Sequence, residues 1–240
     1  DAVEKNLFSV SHRSKEFENI NSHTVNSLKV LLGIPDDFYV FFLSSPTECM
    51  ERSLQNLVAE KSFHFINGWF AQRYYDIAKA LGKTPDYFKS EFGKNFDYDN
   101  ITIPEGTELI CITHNETSTG TVFNIDKIYE VKHSNPNIII AVDAVTSLPF
   151  YKFDYSYIDL LFFSVQKGFG LPPGLGVMLC RKSLIEKSKS LSDRGFSTGT
   201  YNSFIKLAAN ADKNQTTMTP NIPAIYLLGR VCDDLHNKGL

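Results

Sequence analysis

The chain has 240 residues, of which 42% are hydrophobic and 21% are charged, and its formal net charge at pH 7 is -3. This composition is typical of a globular protein with a sizeable core, and the small negative charge does not favour nucleic acid as a partner. No apolar run reaches the length of about 18 residues that indicates a membrane span, so we expect neither nucleic acid nor membrane among the partners.

Short apolar runs alternate with amphipathic stretches, which is typical of a mostly parallel sheet covered by helices. In chain order, strands are predicted over Tyr39–Leu43, Phe63–Asn67, Leu109–His114, Ile138–Asp143, Ile158–Ser164 and Gly176–Arg181. Helices are predicted over Glu16–Leu32, Thr47–Glu60, Trp69–Leu81, Ile125–Lys132, Lys182–Leu191 and Asn202–Ala211, with a further helix that begins near Ile222. The segment Pro85–Pro104 carries charges and aromatics and is predicted to be a loop.

The cysteines indicate a reducing compartment. All four are widely spaced, and Cys111 and Cys180 lie in apolar, strand-like runs, which predicts buried thiols rather than disulfides and a cytoplasmic location. The six histidines show no ligand spacing with the cysteines, so we predict no metal site.

Two predicted strands end beside residues of opposite charge. One ends in Asp143, and the next leads into Lys167. Because ligands bind at the carboxyl ends of strands in open α/β sheets, we expect this amine and this carboxylate on one rim. Pyridoxal phosphate chemistry needs a lysine that forms a Schiff base and an acid that keeps the pyridine nitrogen protonated. Each residue alone is more typical of a solvated charge that closes a buried strand, but the pair, together with the segments described next, favours the cofactor.

Three further segments adjoin predicted strand ends. Ser44-Ser-Pro-Thr-Glu48 precedes a helix whose free N–H groups and dipole suit a phosphate, although an ordinary cap at Thr47 explains it too. The aromatic Phe70 in Gly68-Trp-Phe70 can stack on a flat ring or pack in the core. The polar run Thr113–Gly120 can hydrogen-bond a ring substituent or form a turn.

Two segments lie outside this set. Ser11–Phe17 contains Arg13, whose guanidinium suits a carboxylate or phosphate, but a solvated basic stretch before a helix has the same composition. Thr216–Pro223 clusters hydroxyls ahead of a helix with proline in its first turn, where a helix cap is the alternative.

Read in this order, these segments resemble the pyridoxal-phosphate-dependent class V aminotransferases of fold type I over nearly the whole chain. The most specific segments are His114–Gly120, Asp143, Ser164–Gly170 and Pro172–Gly176. Within the family, Ser11–Phe17 and Gly68–Gly82 are most similar to the phosphoserine aminotransferases and their alanine–glyoxylate-type relatives. The resemblance implies an α/β large domain over 1–240, with a mostly parallel seven-stranded sheet and helices on both faces. The family's N-terminal arm and small C-terminal domain are expected to lie outside this chain.

The resemblance also implies residue roles. Lys167 is the Schiff-base lysine, Asp143 pairs with the pyridine nitrogen, and both are catalytic. The other implied contacts to the cofactor are Pro46 and Thr47 around the phosphate, Phe70 stacked on the ring, Thr117 at the 3′-oxygen, Ser164 and Gln166 on the phosphate side, and Thr219, which reaches the phosphate of the neighbouring subunit in a homodimer. His12 and Arg13 are implied to bind the acidic end of the substrate.

The implied reaction is amino transfer between glutamate and 3-phosphohydroxypyruvate in serine biosynthesis. Three departures from the sequence pattern of the phosphoserine enzymes argue against 3-phosphohydroxypyruvate as the substrate: Phe70 replaces the usual tryptophan, Ser-Ser-Pro-Thr replaces a glycine-rich turn, and Met218 replaces the usual asparagine. Aminotransferases of the alanine– or serine–glyoxylate type therefore stay open. A cysteine desulfurase is disfavoured because those lyases have histidine where Gln166 stands, and a catalytically silent regulator is disfavoured by Lys167 and Asp143.

Overall fold

The computed structural model describes residues 7–240. In this part of the chain the strands are β1 (Phe38–Leu43), β2 (Lys61–Ile66), β3 (Thr84–Lys89), β4 (Leu109–Thr113), β5 (Asn115–Glu116), β6 (Thr121–Val122), β7 (Ile139–Asp143), β8 (Leu160–Ser164) and β9 (Gly176–Arg181). The α-helices are α1 (Lys15–Leu32), α2 (Pro46–Leu57), α3 (Trp69–Ala80), α4 (Ile125–Ser134), α5 (Leu184–Asp193), α6 (Phe204–Ala211) and α7 (Ile222–Asn237).

Seven of these strands form one sheet in the order β1-β9-β8-β7-β4-β2-β3. The five neighbouring strands β8, β7, β4, β2 and β3 are parallel to one another, whereas β9 is antiparallel to both of its neighbours. The predicted mostly parallel, seven-stranded sheet is therefore confirmed. The short strands β5 and β6 pair separately as an antiparallel hairpin.

The prediction of a loop over Pro85–Pro104 is wrong at its start, because β3 runs parallel to β2 from Thr84 to Lys89 at the edge of the sheet. Four of its six residues are exposed and the other two are only half-buried, so they show no continuous apolar run. An edge strand also tolerates Pro85, which cannot donate a hydrogen bond to a further neighbour. These two features explain why the sequence pattern concealed this strand.

Helices cover both faces of the sheet, as predicted. Successive side chains of a strand point to opposite faces: in β8, Leu161 and Phe163 pack with α1, α4 and α7, whereas Leu160 and Phe162 pack with α2, α3, α5 and α6. A strand buried on both faces reads as an unbroken apolar run, which is why β8 was detectable in the sequence.

The helix bounds agree with the predicted ones to within a few residues, and the largest difference lies at the end of α2. This helix ends at Leu57 instead of Glu60, because the Glu108 carboxylate accepts hydrogen bonds from the N–H groups of Ala59 (2.9 Å) and Glu60 (2.8 Å) and turns the chain into β2. All four cysteines are buried free thiols, which confirms the prediction for Cys111 and Cys180. Between residues 7 and 240 no helix has the length and apolar character needed to cross a bilayer.

Candidate active site

A cleft of about 260 Å³ opens at the rim where β4, β7 and β8 end. This is the carboxyl edge of the parallel strands, where open α/β sheets bind ligands. Seven of the residues that are predicted to contact a cofactor line this cleft: Pro46, Thr47, Phe70, Thr117, Asp143, Gln166 and Lys167. The structure thus brings together side chains from five separate segments of the sequence.

Asp143 and Lys167 lie in the same cleft. Asp143 is buried at the end of β7, where its Oδ1 accepts a hydrogen bond from the N–H of Val145 at 2.9 Å. The pKa of Asp143 is raised to about 7, chiefly because burial disfavours the charged carboxylate; the Val145 hydrogen bond opposes this shift, and the negative charge of Glu116 adds to it. Lys167 follows β8 and is exposed, and its Nζ has no hydrogen-bond partner among residues 7–240. The cleft therefore offers an accessible amine together with a buried acid.

The N-terminus of α2 forms one wall of the cleft. Its cap is Ser45, whose Oγ accepts the Glu48 N–H at 3.1 Å, so the alternative interpretation of Thr47 as the cap is wrong. Because Pro46 occupies the first helical turn and Ser45 serves as the cap, the side chain of Thr47 lines the cleft instead. A Cβ on Gly176 would lie 2.5 Å from the Ser45 carbonyl carbon, so β9 holds this turn closely.

Several buried polar atoms near the cleft have no partner among residues 7–240. These atoms are Thr113 Oγ1, Ser164 Oγ and Gln166 Oε1. Buried polar groups in proteins are nearly always hydrogen-bonded, and Thr113 and Gln166 line the cleft. Their free acceptors and donors suit a polar ligand there. Ser164 is fully buried at the end of β8 and does not line the cleft.

The polar segment after β4 reaches the start of α3. Glu116 is fully buried, and its carboxylate accepts hydrogen bonds from the N–H groups of Phe70 (3.1 Å) and Ala71 (2.9 Å). Thr117 follows it and donates to Thr146 Oγ1 at 3.3 Å. The predicted turn is also present, because this segment carries the β5–β6 hairpin.

Sequence reasoning missed Arg73. This exposed residue of α3 lines the cleft, and its guanidinium carbon lies 5.4 Å from the centroid of the Phe70 ring, within range of a cation–π interaction. Residues three apart lie on one face of a helix, so the spacing from Phe70 to Arg73 is the signal that identifies it. The arginine places a positive charge at the cleft.

Besides Ser164, three further predicted site residues lie outside the cleft of their own chain: His12, Arg13 and Thr219. Thr219 Oγ1 is 3.2 Å from His12 Nδ1, and Arg13 Nη1 donates to the Thr216 carbonyl oxygen at 2.8 Å and to Gln215 Oε1 at 2.9 Å. Partial burial and the charge of Arg13 lower the pKa of His12. We call His12, Arg13 and Thr219 the outer cluster.

Comparison with known proteins agrees with this geometry. A family model for class-V aminotransferases matches residues 3–240. The chain is 26% identical over 238 residues to the phosphoserine aminotransferase of Rhodococcus opacus (99% of this chain, 62% of the relative). It is 29% identical over 224 residues to an uncharacterized aminotransferase of Helicobacter pylori (91% of this chain, 58% of the relative).

Solved structures are similar over the same length. The crystal structure of a phosphoserine aminotransferase from Cytophaga hutchinsonii matches with a TM-score of 0.96 at 44% identity (98% of this chain, 65% of that chain). An aspartate aminotransferase from Thermus thermophilus shares the fold, with a TM-score of 0.80 at 21% identity (96% of this chain, 65% of that chain). The chain thus spans less than two thirds of the length of these relatives. Since the family model covers all but the first two residues, and the seven-stranded sheet carries its cleft at the carboxyl edge, this chain belongs to the class-V aminotransferases of fold type I.

Proposed function

We propose that this chain forms the cofactor-binding part of a pyridoxal-phosphate-dependent aminotransferase that transfers the amino group between glutamate and 3-phosphohydroxypyruvate. The observation that carries the proposal is the cleft that Lys167 and Asp143 share with Phe70. Relatives named phosphoserine aminotransferase support this choice of substrates. The proposed reaction is a step of serine biosynthesis.

The residues of the cleft fit pyridoxal phosphate. Asp143 would pair with the ring nitrogen, the Phe70 ring would stack on the flat heterocycle, and Thr117 would hydrogen-bond the 3′-oxygen. The N-terminus of α2 with Thr47 suits a phosphate dianion, and Gln166, which lines the cleft, would donate its side-chain NH₂ group to it. Ser164 is proposed only as a support behind these contacts, because it does not line the cleft.

Pyridoxal phosphate, when bound, supplies an electron sink for the negative charge that develops at the substrate Cα. Lys167 Nζ is the amine that would hold the cofactor covalently until the amino group of the substrate displaces it. The freed amine would then take the proton from the substrate Cα as general base and deliver it to the cofactor as general acid. Asp143 would hold a proton on the ring nitrogen by pairing with it. Its burial keeps water away from this pair, which strengthens the interaction.

The outer cluster supports a homodimer with shared sites. His12, Arg13 and Thr219 are joined by hydrogen bonds to one another or to residues 215–216, yet they lie outside the cleft of their own chain. We propose that this cluster enters the cleft of the neighbouring subunit, where Thr219 would contact the phosphate and Arg13 the acidic end of the substrate. Arg13 is suited to this role because its hydrogen bonds fix the position of its guanidinium before the substrate binds.

Residues 1–240 are proposed to be the large domain of a longer subunit, since the chain spans 62% of one phosphoserine aminotransferase and 65% of another. The N-terminal arm and the small C-terminal domain of the family would lie outside this stretch. We also propose a cytoplasmic location, which the four buried free thiols support.

Half-reaction kinetics test this proposal. The protein loaded with pyridoxal phosphate is mixed with L-glutamate, O-phospho-L-serine, L-alanine or L-cysteine, and the absorbance of the bound cofactor is followed. We expect glutamate and phosphoserine to react with kcat/KM at least about 100-fold above that of alanine. A preference for alanine would indicate the glyoxylate-type reaction, release of sulfide from cysteine would indicate a lyase, and no change with any substrate would contradict an enzymatic role.

A further inference from the structure

We infer that Glu116 is a positioning residue, which supplies the N-terminal cap that α3 lacks and thereby fixes Phe70 and Thr117 relative to each other. The inference rests on the proposed function, because the ring that these two residues would hold is that of pyridoxal phosphate. Neither the sequence motifs nor the roles implied by the family resemblance assign a function to Glu116.

The start of α3 has no local cap. The N-cap position is Gly68, which has no side chain to accept a hydrogen bond, although the first N–H groups of a helix need external acceptors. Glu116 Oε2 accepts the N–H groups of Phe70 and Ala71, and Ser118 Oγ accepts the N–H of Trp69 at 2.9 Å. The first turn of α3 is therefore capped from the segment that follows β4.

The second oxygen of the same carboxylate holds its own segment. Glu116 Oε1 accepts the N–H of Ser118 at 3.1 Å and the Ser118 hydroxyl at 2.7 Å. All four partners are donors, so the carboxylate satisfies them, whereas a glutamine would direct an NH₂ group at two of them. The negative charge also lies at a helix N-terminus, where the macrodipole stabilises an anion.

Gly68 permits this contact. A Cβ at position 68 would lie 2.3 Å from Glu116 Cγ and 2.6 Å from Ser118 Oγ. Both distances are shorter than the contacts that Cβ atoms make with non-bonded atoms in proteins. The backbone conformation of Gly68 is extended, so the close approach, rather than the φ angle, requires glycine here.

The cap joins two walls of the cleft. Phe70 donates its backbone N–H to Glu116, and Thr117 is the residue after Glu116; both line the cleft. A displacement of Glu116 therefore moves the stacking ring and the 3′-oxygen contact together. Burial, with a further contribution from the Glu116 charge, raises the pKa of Asp143, which indicates that Glu116 also acts electrostatically on the third cofactor contact.

The test compares Glu116→Gln with Glu108→Gln in the full chain. Glu108 is a matched control because its carboxylate also accepts backbone N–H groups, but it precedes β4 and so lies at the opposite end of that strand from the cleft. The readouts are the dissociation constant for pyridoxal phosphate, from an absorbance titration of the apoprotein, and amide hydrogen exchange at 69–71. We expect Glu116→Gln to weaken cofactor binding at least about tenfold and to accelerate exchange at 69–71, and Glu108→Gln to leave both within about twofold.

Suppose that Glu116→Gln exchanges faster at 69–71 but keeps a dissociation constant for the cofactor within about twofold of the wild-type value. Glu116 would then have a purely structural role, and the inference would be overturned. An equal loss of affinity in Glu108→Gln would also overturn it. If Glu116→Gln does not fold, Ser118→Ala decides, with an expected loss of about threefold. A wild-type chain that binds no pyridoxal phosphate would instead overturn the proposed function together with this inference.

Discussion

The side chains of His12 and Thr219 are hydrogen-bonded, with 3.2 Å between Nδ1 and Oγ1, although 207 positions separate them in the sequence. Neither residue lines the cleft that contains Lys167. The family resemblance implies that His12 binds the substrate and that Thr219 contacts a cofactor phosphate. The two residues nevertheless lie together outside the cleft of their own chain. The proposed homodimer with shared active sites would account for this arrangement.

Hybrid dimers test the shared site. Lys167→Ala and Arg13→Ala homodimers are each expected to be nearly inactive with glutamate. A mixed dimer has one site that combines the wild-type Lys167 of one subunit with the wild-type Arg13 of the other. Random mixing should restore about a quarter of the wild-type activity, because half of the dimers are mixed and each has one intact site of two.

The control for this experiment mixes Lys167→Ala with Asp143→Ala subunits. Both of these residues come from the same cleft, so no intact site can form and activity should stay at the background level. Lack of recovery in the mixture of Lys167→Ala and Arg13→Ala would show that Arg13 serves its own subunit.

Gly68→Ala should disturb the cleft through Glu116. The added methyl group would overlap the Glu116 side chain, which must then leave at least one buried N–H of α3 unpaired at a cost of about 1–3 kcal/mol. We expect a lower free energy of unfolding in urea and weaker binding of pyridoxal phosphate. The control is Gly82→Ala just past the other end of α3, where the left-handed backbone (φ +72°) is strained by a side chain but nothing lies within 4 Å. Equal losses of cofactor affinity in both variants would contradict the account.

Asp143→Asn should change how the stability of the apoprotein depends on pH. The folded state raises the pKa of Asp143 from 3.8 to about 7, so it binds this proton more tightly than the unfolded state does. The resulting stability is present below pH 3.8 and is lost as the pH rises through about 7. Because asparagine does not titrate in this range, Asp143→Asn should remove up to about 1.4 kcal/mol per pH unit of the decline in the free energy of unfolding.

Urea unfolding of the wild type and of Asp143→Asn between pH 4.5 and 8 measures the effect. The variant should be the more stable protein at pH 8, where the wild type buries a charged carboxylate, while its affinity for pyridoxal phosphate falls. Parallel stability curves over this range would show that Asp143 titrates as in the unfolded chain.

The sequence predicted the interior of the sheet better than its edge. Strands buried on both faces, such as β7 and β8, are unbroken apolar runs and were found with nearly correct bounds. The edge strand β3 was predicted as a loop because its exposed face carries polar and charged residues. Edge pairing depends on a neighbour that is distant in the sequence, and a local pattern does not record it.

The candidate site was predictable where each residue follows a strand. Asp143 and Lys167 lie at adjacent strand ends, so topology alone placed them on one rim. In the sequence, Glu116 is only one member of a polar motif, because its role depends on the missing side chain at Gly68 and on a contact between separate elements. The outer cluster was assigned by resemblance, and no rule of spacing indicates that it lies away from the cleft.

Every proposed role in the cleft depends on covalent attachment of pyridoxal phosphate to Lys167, which peptide mass spectrometry after borohydride reduction can detect. We expect the mass of the reduced cofactor on the proteolytic peptide that contains Lys167, and no labelled peptide in Lys167→Ala treated in the same way. A label on a different lysine, or a wild-type protein that stays unlabelled at saturating pyridoxal phosphate, would contradict it.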